Sequence, residues 1–410
     1  MNIAILGFGV VGSGVAEVIS KNHDSILKNS NADLKLTRIL DIRDFENNKY
    51  APLMTKNFDD ILSDDSIKIV VETMGGVNPA FEFVSKSLMK GKHVVTSNKE
   101  LVATKGYELL EIARKNNVNF MFEASVGGGI PIIRPISRCL AGNEISEIAG
   151  ILNGTSNFIL TKMIVDGMTF SDALRLAQDK GYAEKDPTAD VEGLDAMRKI
   201  CILASLAFGY HVYPDGVYSE GISNVTLEDV AFAADYDSVI KLIARTKKLE
   251  NGKILVMVSP CFVSNSSMLS GVSDVFNACL VRGDATGDVL MYGKGAGSLA
   301  TASAVVGDVI DCANHDEERK FFGWEDKKED YLESHLECDT ALYVRGTAED
   351  TALAKKNIES AFGEVTYLSR ENQSADEIAF VTPVKKEIEL RKALATTGIS
   401  VITTIRIANY

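Results

Sequence analysis

NIAILGFGVVG, residues 2–12, decides how the first part of this chain folds. Residues 2–6 are an apolar run stopped by a glycine, which predicts a short buried strand, and residues 13–22 predict a helix. Between them, Gly7 permits a tight turn, Gly9 lets the backbone approach a pyrophosphate, and Gly12 lets helix and strand pack closely. This pattern predicts a dinucleotide-binding loop, although a glycine-rich turn in an unrelated α/β fold is the alternative. The loop residues are Gly7, Phe8, Gly9, Val10, Val11 and Gly12.

The second strand, predicted over residues 34–42, ends beside two charged side chains. Asp41 could accept a hydrogen bond from a ribose 2′-hydroxyl and favour NAD, whereas Arg43 could pair with the 2′-phosphate of NADP. Because they stand two residues apart on a strand, the two side chains share a face and could also pair with each other. The sequence leaves the choice of NAD or NADP open, with Arg43 as a candidate cofactor-binding residue.

Strands and helices alternate along the first third of the chain. Further strands are predicted at 68–73, 93–97 and 118–124, and helices at 79–90 and 101–116. This alternation is typical of βαβ units on a parallel sheet, so we predict an α/β fold with a Rossmann-type dinucleotide-binding domain. A helix predicted at 298–313 follows a glycine pair and could return to this domain.

The middle third has a different pattern, which predicts an α+β domain on a mostly antiparallel sheet. Strands are predicted at 144–152, 253–263, 277–284 and 287–294, and helices at 155–166, 170–180, 190–208 and near 227–250. A charged stretch at 315–335 is predicted to be a linker. The tail beyond it has the order βαββαβ, with helices at 349–362 and 384–395, which is the ferredoxin-like arrangement.

Three domains follow from these patterns. We predict a dinucleotide-binding domain at 1–131 plus 297–315, a substrate-binding and dimerisation domain at 132–296, and a tail domain at 336–410.

Composition narrows the choice of partners. The formal charge of −14 makes nucleic acid and membrane surfaces poor partners, so we expect neither. The six cysteines include no CxxC pair, which argues against structural zinc and a disulfide scaffold and favours reduced thiols in the cytoplasm. No apolar run approaches the roughly 18 residues of a membrane helix, and the N-terminus lacks a basic leader.

One helical turn in the middle third carries a possible acid–base pair. Asp195 and Lys199 stand four residues apart on the helix predicted at 190–208, and a surface salt bridge is the ordinary reading of such a pair. However, reduction of an aldehyde by a hydride produces an alkoxide, which needs a proton donor, and a lysine beside carboxylates can be that acid. A carboxylate such as Glu184 would suit the ammonium group of an amino-acid substrate.

Several motifs follow one another in a set order. They are GFGVVGSGV (7–15), VVETMGG (70–76), TSNKELVA (96–103), FEASVGGGIPII (122–133), NGTSNFIL (153–160), GYAEKDPTADVEGLDAMRKICILA (181–204) and GKGAGSLATASAVVGD (293–308). In this order, over residues 1–315, the chain resembles homoserine dehydrogenases, and 181–204 is the most specific element. The resemblance implies the NAD(P)-dependent interconversion of L-aspartate 4-semialdehyde and L-homoserine, in the biosynthesis of threonine, methionine and isoleucine.

The resemblance also implies roles for single residues. Lys199 would be the proton donor, and Lys99 would line both cofactor and substrate. Homoserine would be bound by Glu184 and Asp195, with Tyr182 and Asp190 nearby in the same motif. Thr73, Asn98 and Gly297 would lie at the cofactor.

A monovalent cation, sodium, is implied by the same resemblance. The family holds it through one acidic residue and nearby backbone carbonyls, a pattern matched by Glu123, Val126, Gly128 and Ile130. Hard cations prefer oxygen ligands, and a glycine-rich turn can point carbonyls inward. The alternative is that residues 127–129 are only a flexible turn.

The tail resembles an ACT regulatory domain but departs from it after the first strand. The usual Asp-x-Pro-Gly ligand turn is replaced by GTAEDT at 346–351, so we expect threonine to inhibit weakly or not at all. Because ferredoxin-like sheets leave an edge or face open, we expect a homodimer or homotetramer.

Two alternatives remain open. One is another Rossmann-type amino-acid dehydrogenase, and the other is a non-catalytic ACT-type sensor. The 181–199 motif argues against the first, and intact Lys99, Glu184 and Lys199 argue against the second.

Overall fold

The structure is a computed structural model that describes residues 1–30, 32–45, 47–320, 322–327 and 330–410. It consists of two compact units. The first comprises residues 1–145, 201–215 and 291–328, and the second comprises 146–200, 216–290 and 329–410. The three predicted domains stay a prediction, because two compact units do not show which segments fold independently. Within the described residues, none of the helices has the length and apolar character that crossing a membrane requires.

The strands span both units. They are β1 (Asn2–Leu6), β2 (Lys35–Leu40), β3 (Met54–Thr55), β4 (Ile67–Glu72), β5 (His93–Thr96), β6 (Phe120–Met121), β7 (Ile145–Ile151), β8 (Tyr218–Ser219), β9 (Ser238–Lys248), β10 (Ile254–Ser264), β11 (Phe276–Gly283), β12 (Gly287–Lys294), β13 (Leu332–Glu333), β14 (Asp339–Thr340), β15 (Leu342–Thr347), β16 (Thr366–Leu368), β17 (Glu377–Val381), β18 (Lys385–Lys386) and β19 (Ser400–Ala408).

The helices lie between these strands. They are α1 (Val10–Lys21), α2 (His23–Ser30), α3 (Asp59–Leu62), α4 (Ala80–Met89), α5 (Lys99–Lys115), α6 (Gly154–Asp166), α7 (Phe170–Asp179), α8 (Thr188–Val191), α9 (Leu194–Phe208), α10 (Leu227–Asp235), α11 (Ser298–Asn314), α12 (Thr351–Phe362) and α13 (Glu387–Leu394).

The first unit is built on a parallel sheet of order β3-β2-β1-β4-β5-β6. The order reverses at β1, and ligands of open α/β sheets bind at such a switch point. Helix α11 packs against α1, and apolar residues of β1, α1 and α11 share one core. The predicted Rossmann-type α/β fold is confirmed, and the helix predicted to return to this unit does so.

The second unit is built on a mixed sheet of order β12-β11-β7-β9-β10-β19-β15-β17-β16. The tail strands keep the ferredoxin-like order β19-β15-β17-β16, and their helices α12 and α13 supply a core of their own. The tail does not stand apart from the rest of this sheet. Strand β19 pairs in parallel with β10, joining Cys261 to Arg406 and Val263 to Ala408.

Two predicted helices differ from the structure. The helix predicted near 227–250 is wrong beyond Asp235, because Asp237 takes a positive φ of 47° and the chain continues as β9, paired along its whole length with β10. The helix predicted at 190–208 is divided into α8 and α9 by Gly193, whose φ is +76°.

The stretch predicted as a linker, 315–335, makes specific contacts in its described residues, which are 315–320, 322–327 and 330–335. Within the first unit, Asp316 accepts a hydrogen bond from His93 at 2.8 Å, and the backbone N–H of His211 donates to Glu325 O at 2.9 Å. Residues 322–326 place Trp324 against α5, where Trp324 is only 5% exposed. Its ring lies 5.4 Å from Phe122 and 5.5 Å from His211.

Candidate active site

The glycine loop at the switch point of the first unit has the shape of a phosphate cradle. Gly7 has a φ of +93°, and a Cβ on Gly12 would lie 2.0 Å from Gly7 O, so both positions require glycine. A Cβ on Gly9 would meet no described atom within 4 Å, which leaves room for a ligand. Gly9 is the N-cap of α1 and has no side chain to cap it, so the first N–H groups of the helix remain available to an anion such as a phosphate.

The other loop residues support or surround this turn. Phe8 is buried against Phe45 and Tyr50, whereas Val10 is 70% exposed and Val11 is half-buried. Helix α11 closes over the loop from the other side of the same unit: Gly297 begins it with a φ of +128°, and Ser298 Oγ donates to Val10 O at 2.7 Å.

Asp41 and Arg43 form a fork-shaped ion pair at the end of β2. Arg43 Nε donates to Asp41 Oδ1 at 2.9 Å and Nη2 donates to Oδ2 at 2.8 Å. The backbone N–H groups of Phe8 and Arg43 donate to the same carboxylate, at 2.7 and 3.0 Å. The Arg43 guanidinium holds the pKa of Asp41 well below its usual range, while the Arg43 side chain itself stays 57% exposed.

A buried carboxylate that the sequence analysis missed, Glu72, organises the loop after β4. It accepts hydrogen bonds from Met74 N and Thr96 Oγ1, at 2.7 and 2.6 Å, and burial raises its pKa. Thr73 Oγ1 donates to Gly7 O at 2.8 Å and thereby ties this loop to the glycine loop.

Asn98 caps α5 directly before Lys99. Its Oδ1 accepts from Leu101 N at 3.0 Å and its Nδ2 donates to Gly76 O at 2.6 Å. Lys99 is the first residue of α5 and is half-buried.

The predicted cation residues lie on one turn of the first unit. The Glu123 carboxylate accepts from the backbone N–H groups of Ile132, Ile133 and Arg134 at 2.6–2.8 Å, so both of its oxygens are engaged by amides. Among the described residues, no backbone N–H donates to the carbonyls of Val126, Gly128 or Ile130. Gly128 has a φ of +58°, and a Cβ on Gly127 would lie 2.4 Å from Ile130 O. These carbonyls suit a hard cation better than the carboxylate does.

In the second unit, the junction of β7 and α6 assembles a lysine with two carboxylates. Lys199 Nζ donates to Asp195 Oδ2 and to Leu152 O, each at 2.7 Å. Asn153 Nδ2 donates to Asp190 Oδ1 at 2.7 Å and to Asp195 Oδ2 at 2.8 Å. Lys199 and Asp195 are buried, so this pair is no surface salt bridge.

The local sequence explains how α9 presents this pair. Gly193 turns the chain with its positive φ, and α9 begins one residue later. Spacing of four residues then puts Asp195 and Lys199 on one helix face.

Tyr182 and Glu184 lie on the loop between α7 and α8 and are exposed. The Tyr182 ring packs edge-on against Phe158 at 5.1 Å, and its carbonyl accepts from Thr155 Oγ1 at 2.8 Å. The Glu184 carboxylate makes no hydrogen bond or ion pair within the described ranges, so it is available to a ligand.

Comparison with known proteins identifies this combination of a dinucleotide loop and a lysine–carboxylate cluster. The homoserine dehydrogenase NAD-binding domain model matches residues 7–123, and the homoserine dehydrogenase model matches residues 131–310. The homoserine dehydrogenase of Lactococcus lactis is 40% identical over 316 residues, which are 76% of this chain and 73% of that protein. The chain belongs to the homoserine dehydrogenase family.

Solved homoserine dehydrogenases share its fold. The crystal structure from Thiobacillus denitrificans matches 100% of this chain and 98% of its own, with a TM-score of 0.90 and 34% identity. A hyperthermophilic archaeal homoserine dehydrogenase in complex with NADPH matches 76% of this chain and 96% of its own, with a TM-score of 0.63 and 30% identity. The chain is therefore an NAD(P)-dependent oxidoreductase with homoserine dehydrogenase activity, a step of amino-acid biosynthesis.

Proposed function

We propose that Lys199 is the acid–base group of the homoserine dehydrogenase reaction. Bound reduced nicotinamide supplies the hydride that adds to the aldehyde carbon of aspartate 4-semialdehyde. The Lys199 ammonium gives its proton to the aldehyde oxygen and so produces the hydroxyl of homoserine. In homoserine oxidation, the neutral amine takes that proton back. The observation that carries this role is the buried contact of Lys199 with Asp195 and Leu152 O, which fixes where the ammonium sits.

The substrate ammonium is proposed to bind Glu184, on the loop between α7 and α8, together with the two carboxylates of the Lys199 cluster. Glu184 is exposed and free to pair, and Asp190 and Asp195 are held on the same amide nitrogen of Asn153. Tyr182 would cover the substrate from the exposed loop, and Lys99 would attract its carboxylate and the cofactor phosphates.

NADP is the proposed cofactor in preference to NAD. The four hydrogen bonds that Asp41 accepts occupy the lone-pair sites of its carboxylate, so a ribose 2′-hydroxyl would have to displace Arg43. Arg43 uses two of its five N–H donors on Asp41 and is more than half exposed, so it can still receive a 2′-phosphate.

Arg43→Ala should raise KM for NADP about tenfold or more and leave KM for NAD nearly unchanged. Arg114→Ala, in a surface pair on α5, is the matched control.

A sodium ion is proposed at the carbonyls of Val126, Gly128 and Ile130. Glu123 would support the turn by binding the amides of residues 132–134 rather than by giving its carboxylate to the ion. When bound, the ion would fix the turn between β6 and β7. Activity should fall when choline replaces sodium in the buffer and return when sodium is added.

Assembly and location complete the proposal. We expect a homodimer or homotetramer in the cytoplasm, with homoserine passing to threonine, methionine and isoleucine synthesis. All six cysteines lie in the described part of the chain, and none forms a disulfide there, which suits a reducing compartment.

One assay tests the central proposal. Homoserine is mixed with NADP or NAD in parallel and the absorbance of the reduced cofactor is followed. Homoserine-dependent reduction that is faster with NADP is the expected result, and no turnover with either dinucleotide would overturn it.

A further inference from the structure

We propose that Asn153 is a positioning residue that sets the charge balance of the catalytic lysine by holding Asp190 and Asp195 together on one amide nitrogen. The inference rests on the proposed role of Lys199 and adds a residue that would act on it through Asp190 and Asp195.

The orientation of the Asn153 amide follows from its partners. Its Oδ1 accepts the backbone N–H of Ser156 at 2.8 Å, which makes Asn153 the N-cap of α6. The NH2 group must then face the opposite way, where the oxygens of Asp190 and Asp195 lie 2.7 and 2.8 Å from the nitrogen. Asn153 is only 5% exposed, so water competes little for these hydrogen bonds.

Two carboxylates this close repel each other, and each ionised form needs a donor. The two N–H groups of Asn153 provide one donor each without adding charge. Asp195 Oδ2 also accepts from Lys199, so the same oxygen is shared between the amide and the ammonium. A donor withdrawn from Asp195 would strengthen its hold on the Lys199 proton.

The backbone links the same groups. The carbonyl of Leu152, the residue directly before Asn153, accepts the second hydrogen bond of Lys199 Nζ at 2.7 Å. The segment between β7 and α6 therefore contacts the ammonium through the Leu152 carbonyl and both carboxylates through the Asn153 side chain.

Two variants separate positioning from capping. Asn153→Ser keeps a preferred N-cap but removes both N–H donors, and Asn153→Asp keeps the cap and the shape while adding a negative charge. Thr169→Ala removes the N-cap of the neighbouring helix α7 and leaves the cluster intact, so it reports the effect of a lost cap alone.

The measurement is kcat/KM for homoserine oxidation against pH, with saturating cofactor. In the wild type, kcat/KM should rise with pH as Lys199 loses its proton. We expect the midpoint of this rise to shift to higher pH by about one unit in Asn153→Ser and by more in Asn153→Asp. At pH 7 this shift would lower kcat/KM about tenfold in Asn153→Ser, while KM for the cofactor stays as in the wild type. The control Thr169→Ala should keep the wild-type pH midpoint.

Profiles that superimpose on the wild type, with only a lowered Tm, would make Asn153 a cap and overturn the inference. If Asn153→Ser does not fold, Asn153→Asp alone decides in the same way. Failure of the broader proposal has a different signature, since Lys199→Ala would then retain its turnover whatever Asn153 does.

Discussion

At the scale of one residue, burial distinguishes the ion pair that we propose for catalysis, Lys199 with Asp195, from an exposed pair of the same spacing. The chain offers an internal comparison, because Lys162 and Asp166 on α6 have the same i,i+4 spacing but Asp166 is 45% exposed. Lys199 and Asp195 have side chains only 10% and 6% exposed. The spacing is equal, and only the fold distinguishes the two pairs.

Replacing each lysine of these two pairs tests the difference between them. Lys199→Ala should lower kcat for homoserine oxidation about 100-fold or more, because general acid–base catalysis typically contributes that much. Cofactor binding, followed by fluorescence titration, should survive. Lys162→Ala should keep wild-type turnover, and a Lys199→Ala enzyme that did the same would remove the lysine from the mechanism.

His211 gives a pH dependence to the stability of the first unit. Burial lowers its pKa to about 4, whereas an unfolded histidine titrates near 6.5. Above pH 6.5 neither state is protonated and the contribution is complete. As pH falls from 6.5 towards 4 the unfolded chain takes up a proton that the folded chain refuses, so stability is lost.

Trp324 is the only tryptophan and lies 5.5 Å from His211, so urea unfolding followed by its fluorescence reports this region. The urea concentration at the unfolding midpoint should decrease when the pH is lowered from 7.5 to 5, both in the wild type and in the exposed-site control His23→Gln. It should fall less in His211→Gln. An equal fall in His211→Gln would assign the loss to other groups.

At the scale of elements, the sequence predicts best where the pattern is local. The turn between β1 and α1 could be predicted from its glycines, because the positive φ of Gly7 and the close contact at Gly12 both require glycine. Strand β9 was predicted as helix because its apolar residues, Val239, Ile240, Leu242 and Ile243, also fit a helix face. Pairing with β10 decides against the helix, and that contact is not visible in the segment itself.

The candidate site divides in the same way. Asp195 and Lys199 could be placed on one helix face from their spacing alone. The contact of Asn153 with the two carboxylates could not be predicted, because Asp190 and Asp195 stand 37 and 42 positions away in sequence. Asn before a glycine at the start of a predicted helix was a signal for an N-cap, but not for its second function. Glu72 was missed for a similar reason, since its partner Thr96 lies on the next strand of the sheet.

On the scale of the whole molecule, a buried ion cluster fastens the tail to the rest of the second unit. Arg406 on β19 donates to Glu387 on α13 at 2.7 and 2.8 Å and to Glu220 at 2.7 Å. Arg406 is 5% exposed and Glu387 is 1% exposed. The tail is therefore part of the fold of this unit and not an appendage.

Arg406→Leu should destabilise the second unit by about 3 kcal/mol or more, because it leaves a buried carboxylate without its main partner. Arg391→Leu is the control, since Arg391 pairs with the same Glu387 but is 39% exposed and should cost about 1 kcal/mol or less. Chemical denaturation followed by circular dichroism measures both. Equal losses would mean that the burial of Arg406 contributes nothing.

Threonine should inhibit weakly or not at all. The turn after β15 contains neither proline nor glycine, and Asp350 Oδ1 accepts from Leu353 N at 2.9 Å, so the start of α12 is already capped by a carboxylate. An amino-acid carboxylate would be repelled there. Titration of threonine into the millimolar range at sub-saturating homoserine is the test, and cooperative inhibition at low concentration would contradict the prediction.

The short parallel pairing of β19 with β10 also bears on the order in which the second unit folds. It brings Arg406 beside Cys261, which is 145 positions earlier in the sequence. The β9–β10 hairpin and the tail core each need only nearby partners, whereas closing so long a loop costs entropy before any contact compensates. The two parts can therefore form separately and meet last. Until they meet, residues 261–263 of β10 lack their partner strand and lie open to a strand from another molecule, so this contact could be exchanged between chains.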